Sequence, residues 1–82
     1  MAVDIDTSLS NLSQTLKRRH ELDQLALREL KGFNGQPRSI EIPPNYNVGD
    51  SAHTKGVLEA AGFRVELKFV SNSRPYFRIF AN

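Results

Sequence analysis

Few residues in this chain have the type and spacing that chemistry requires. There are two histidines and no cysteine. His53 follows Asp50 and Ser51 within one turn, and an acid, a hydroxyl and an imidazole are the groups of acyl-transfer catalysis. A helix starting there would spend Asp50 or Ser51 on capping free amides, so a capping or surface histidine is the plainer reading. His20 falls on the polar side of a predicted helix. Gly49, Asp50 and Ser51 could draw an anion to a helix start, but Asp50 repels phosphate and one glycine is not a phosphate loop. No carboxylate pair stands out, and no spacing matches zinc ligands. The sequence thus predicts no catalytic residue, no metal site and no cofactor, and a protein that is not an enzyme.

Binding has better candidates. At about 100° per residue, Leu9, Leu12, Leu16, Ala26, Leu27, Leu30 and Phe33 fall on one side of a leading helix. Arg19 and Asp23 fall in the middle of that side, four residues apart, where they can pair with each other. Leu25 lies nearly opposite. Either the helix bends near residues 18–21 and only its second half packs, or it is continuous and outruns the sheet it covers. A helix of about 24 residues is about 36 Å long, which favours the second case. Its first half then meets a second copy or another protein, with Arg19 and Asp23 setting the register. The candidate protein-binding residues are Leu9, Leu12, Leu16, Arg19 and Asp23.

A second set lies near the end of the chain. Lys68, Tyr76, Arg78 and Phe80 share one face of a predicted hairpin, with Arg64, Glu66 and Glu41 alongside. Aromatic and basic residues interleaved on an open sheet can stack and neutralise single-stranded nucleic acid. The acids on the same face also fit ordinary cross-strand pairing. The strand opened by Pro75 reads as an edge, able to pair with a partner strand or protected by Arg74 and Arg78.

These residues imply a definite order of elements. Residues 1–7 read as a loose lead-in. Residues 8–32 read as a long helix without Gly or Pro until Gly32, capped by Asp6, Thr7 or Ser8. Residues 39–81 read as a β-α-β-β unit. It comprises a short strand at 39–42, a Pro-rich loop carrying Tyr46, a helix capped by Asp50 or Ser51, and the hairpin. Gly62 marks the helix stop, with Phe63 packing back. Val65, Leu67 and Phe69 alternate inward, then Phe77 and Ile79. Gly56, inside the second helix, suggests a close approach to the sheet or the first helix. The expected fold is α+β, in the order α-β-α-β-β. Its three-stranded mixed sheet has the first two strands parallel through a right-handed crossover, and both helices on one face.

The run helix–AAGF–strand–turn–YFRIF, over about residues 54–80, resembles the end of a winged-helix domain. The resemblance implies a recognition helix followed by a β-wing. Residues 39–48 depart from it, reading as strand and loop where the preceding helix should lie, and Lys55 is the chief basic residue such a helix would expose.

The totals set the class. Eighty-two residues make one small domain. The net charge is +2, too small by itself to indicate nucleic acid, and the slight basic excess lies with the hairpin half. The start, MAVDIDTSLSN, is acidic and lacks the apolar run of a secretory signal. No stretch is apolar for the roughly 18 residues of a membrane span. A cytoplasmic protein-binding module is expected, of adaptor or inhibitor type and oligomeric, with no membrane partner. Nucleic-acid binding through the hairpin is the alternative. The small, cysteine-free chain with an overlong helix also suits a phage or mobile-element accessory protein.

Overall fold

The computed structural model describes residues 5–81, with side chains from residue 9 onward. The elements are α1 (Ile5–Glu29), β1 (Arg38–Glu41), α2 (Val48–Ala60), β2 (Arg64–Lys68) and β3 (Tyr76–Phe80). This is the α+β class and the α-β-α-β-β order that the sequence predicts. Among the described residues, no helix is long and apolar enough to cross a membrane.

α1 is one unbroken helix of 25 residues, about 37 Å long, with no bend at 18–21. Residues 5–7, expected in a loose lead-in, are helical, so Asp6, Thr7 and Ser8 lie inside the helix and do not cap it. The rest of that lead-in, residues 1–4, falls outside the described residues. The helix ends at Glu29. The chain then turns through Lys31 to Gly32, which takes a left-handed φ of 81°. Arg38 reaches back and donates to the Glu29 carbonyl oxygen, placing a cation at the negative end of the helix.

The sheet has the order β1-β3-β2, and both of its ladders are antiparallel. The expected mixed sheet is therefore corrected. β1 and β2 run the same way, but β3 lies between them and pairs with each. The physical reason lies in β3 itself. Phe77 and Ile79 are both fully buried, and the strand that buries most on the core face takes the middle. β3 is thus not the edge strand that Pro75 suggested. Pro75 stands one residue ahead of β3, so its missing donor breaks no ladder bond. Its carbonyl oxygen accepts from the Ile42 amide at 2.9 Å. The true edges are β1 and β2.

Ile40, Val65, Phe77 and Ile79 form the buried face of the sheet, and Leu22, Ala26, Leu30 and Leu58 cover it from the helices. Both helices therefore lie on one face. Tyr46 packs on this core, and the rings of Phe33 and Phe63 meet edge to face at 5.5 Å. Two assignments change. β2 ends at Lys68, so Phe69 leaves the alternation and is exposed. On α1, Leu27 is exposed, while Leu22 is buried and Leu25 packs against the core. α1 has to cover both α2 and the sheet, which turns its buried arc toward Leu22 and Leu25.

α2 begins three residues before the expected cap. Asn47 is the N-cap, its side chain accepting from the Asp50 amide at 2.8 Å, while the Asp50 carboxylate accepts from the Asn47 amide at 3.1 Å. This is a capping box with an aspartate at its third position. Ser51 does not cap; its hydroxyl donates to the Asn47 carbonyl oxygen. At the other end, the Gly62 amide donates to Glu59 and the Phe63 amide to Leu58, with Gly62 at φ 101°. This is the Schellman arrangement expected of Gly62. A single helix joins β1 to β2, so the helix pair of a winged-helix domain is not present and the resemblance does not hold for the fold.

Gly56 makes no close approach: a Cβ there meets nothing within 4 Å, and the residue is exposed. Since alanine is favoured over glycine in a helix interior by about 1 kcal/mol, Gly56→Ala is expected to raise stability by up to about that amount. Thermal unfolding followed by circular dichroism measures it, and a lower midpoint would contradict the open site.

Candidate functional site

The candidate residues on α1 divide where α2 begins. Asp50 of α2 is fully buried and sits beside two arginines of α1. Arg18 meets it through both Nε and Nη2, the latter at 3.2 Å, and Arg19 Nε adds a contact at 3.3 Å. Four residues further along each helix, the Thr54 hydroxyl donates to Asp23 Oδ1 at 2.6 Å. His53 Nδ1 lies 3.4 Å from the same oxygen. The two helices therefore run in the same direction, held by a polar cluster above and by Ala26, Leu30 and Leu58 below. Gly49 allows the close approach of Arg19, because a Cβ at that position would lie 3.3 Å from its Nη2.

This corrects the expected role of two residues. Arg19 and Asp23 do not pair with each other and do not face a partner; they dock α2 within the same chain. The i,i+4 spacing that suggested a pair arises because both lie on the row of α1 that faces α2. Arg18, which the sequence reading did not select, makes the principal contact. The Asp50–Ser51–His53 run does not assemble into a triad either. Asp50 is taken up by the arginines, Ser51 by the Asn47 carbonyl, and His53 lies against Asp23.

Burial by itself raises the Asp50 carboxyl pKa. The hydrogen bonds from Arg18, from the Asn47 amide and from Arg19 outweigh that and hold it below the ordinary carboxylate value. Arg18 is correspondingly raised, chiefly by its hydrogen bond to Asp50.

The other half of α1 is uncovered. Leu9, Leu12 and Leu16 are 58%, 54% and 57% exposed. Together with Arg19 and Asp23 they follow one another at spacings of three and four, so they continue the α2-facing row toward the helix start. α2 begins at Val48, level with about Lys17, and the dozen residues ahead of that point extend past it for about 18 Å. Val48 itself is exposed at this step.

The residues of the hairpin set are also brought together. The register places Lys68 opposite Tyr76, Glu66 opposite Arg78 and Arg64 opposite Phe80, with Ser39 and Glu41 of β1 on the far side of β3. The face is largely occupied by its own contacts. The guanidinium carbons of Arg64 and Arg78 lie 4.9 and 5.8 Å from the Phe80 ring centroid. Lys68 Nζ is 3.5 Å from Glu66, and Arg78 donates to the Ser39 hydroxyl at 2.9 Å. Phe69 and Val70, exposed beyond the end of β2, form a smaller apolar spot that the expected inward alternation had hidden.

Two outcomes are expected at the Asp50 cluster. Asp50→Asn should destabilise the fold by roughly 2 kcal/mol at neutral pH, since it leaves two arginines without their carboxylate and weakens the cap. Because the folded carboxyl lies below its unfolded value, its contribution is complete above about pH 4 and is lost as pH falls below that. Urea unfolding at neutral and acid pH should therefore show a smaller acid loss in Asp50→Asn than in the parent; equal losses would contradict the assignment. Comparison of the chain with protein-family models, with curated proteins and with solved structures finds no match.

Proposed function

We propose that this chain is a non-enzymatic protein-binding module, of adaptor or inhibitor type, whose contact surface is the leucine row on the first half of α1. One observation carries the reading. Three leucines in succession on a single helical row are each more than half exposed, on a stretch of helix that extends beyond the rest of the domain. Scattered exposed leucines are ordinary; a contiguous row with no cover in its own chain marks a surface for another molecule. Full burial of a leucine is worth about 1.5–3 kcal/mol. Covering the exposed half of each of these three yields about 1 kcal/mol apiece, which suits a small, reversible contact.

A second reading rests on the cluster of Arg64, Phe80 and Arg78, with Lys68 and Tyr76 adjoining. It makes the outer sheet face a site for single-stranded nucleic acid. The internal contacts of these side chains weigh against it, because Phe80 presents its ring to guanidiniums of its own chain.

The first reading is tested by capture from host lysate with the tagged chain and with a Leu12→Glu/Leu16→Glu variant. Both positions are exposed, so the variant should fold with stability changed by no more than about 0.5 kcal/mol per site. The expected result is a protein retained by the parent and lost from the variant. Retention by both would refute the leucine row as the surface. The second reading requires oligonucleotide binding that weakens with salt and disappears in Tyr76→Ala and Arg78→Ala; no binding at about 50 mM salt removes it.

A further inference from the structure

We infer that the occupant of the leucine row is a second copy of this chain, its α1 lying antiparallel to the first about a two-fold axis. The inference rests on the protein-binding reading above and names its partner. Ile5, Leu9, Leu12 and Leu16 follow one another at spacings of four, three and four, the heptad seam of a helix pair. In an antiparallel pair with its axis between Ser10 and Asn11, this seam complements itself without a polar mismatch. Leu9 opposes the partner's Leu12, Leu12 the partner's Leu9, Leu16 the partner's Ile5, and Ile5 the partner's Leu16. Each residue contact is then made twice, as a two-fold interface requires.

Charge selects the direction. The sequence carries Asp4 and Asp6 at the start of this stretch and Lys17, Arg18 and Arg19 at its end. A parallel pair would gather six basic residues at one end and four acidic residues at the other. The antiparallel pair sets the acidic end of each copy beside the basic end of the other. Length agrees as well. α1 begins at Ile5, and the partner's Ile5 lies level with Leu16, just before α2 starts at Val48. The partner helix and α2 then occupy successive lengths of one row without collision.

The chain has no cysteine, so single introduced thiols report the register directly. Sedimentation equilibrium should show a monomer–dimer equilibrium for the parent chain and a monomer for Leu12→Glu/Leu16→Glu. Differently tagged Leu9→Cys and Leu12→Cys chains, mixed and oxidised, should form a disulfide-linked heterodimer. Leu16→Cys alone should stay unlinked, since the two copies of residue 16 lie roughly 16 Å apart along the pair. Ready linkage of Leu16→Cys to itself would mean a parallel pair and overturn the proposal. So would a dimer that persists in the Glu variant, or a parent chain that is monomeric at every concentration. In the last case the protein-binding reading survives if lysate capture still depends on Leu12 and Leu16, so the two failures are told apart. Circular dichroism of each variant confirms that a lost dimer is not a lost fold.

Discussion

The arrangement of this domain depends on one carboxylate. Asp50 closes the capping box that starts α2 and accepts from two arginines of α1. A carboxylate taken fully out of water is costly, and it is tolerated only where hydrogen bonds replace the lost hydration. Here a backbone amide and two guanidiniums provide them. The same bonds that satisfy Asp50 fix where α2 sits along α1. The Thr54–Asp23 bond repeats the constraint one turn further on, and the apolar contacts of Ala26, Leu30 and Leu58 close beneath it.

The exposed leucines follow from that lock. Hydrophobic contact is not directional, and a helix free to slide along α1 could have covered Leu16 and Leu12 at little expense elsewhere. Sliding would strip Asp50 of Arg18 and Arg19 and leave Thr54 and Asp23 without each other. The polar cluster thus holds α2 away from the first half of α1, and the apolar row remains available to another molecule. Stability of the domain and exposure of its contact surface arise from the same side chains.

Features set by neighbours in the chain were legible in the sequence, and features set by distant residues were not. The stop at Gly62 and the alternation through Val65, Leu67, Phe77 and Ile79 depend on local geometry, and both appear where the pattern places them. The exposure of Leu9, Leu12 and Leu16 followed from helix length against domain size. The place of β3 in the sheet was missed, because only non-local pairing decides which of three short strands is central, and Pro75 lay just outside the strand it was taken to mark. Arg19 and Asp23 were read as a pair within one helix; their real partners are 31 residues away in sequence. The cap was missed for a more avoidable reason. Asn47 and Asp50 stand at capping-box spacing, and that signal was present beside the Asp50 and Ser51 it was weighed against.

The position of β3 has a consequence for how the chain acquires its structure during synthesis. β1 and β2 touch only through β3, the last of the three to leave the ribosome. Until it emerges, the earlier strands have no ladder to join, and Ile40 and Val65 have no sheet to complete. α1 and α2 can meet before then, since Arg18, Arg19, Asp23, Asp50 and Thr54 are all already present. The nascent chain would therefore pass through a stage of two docked helices with their apolar undersides still open, and the sheet would close beneath them in a single late step.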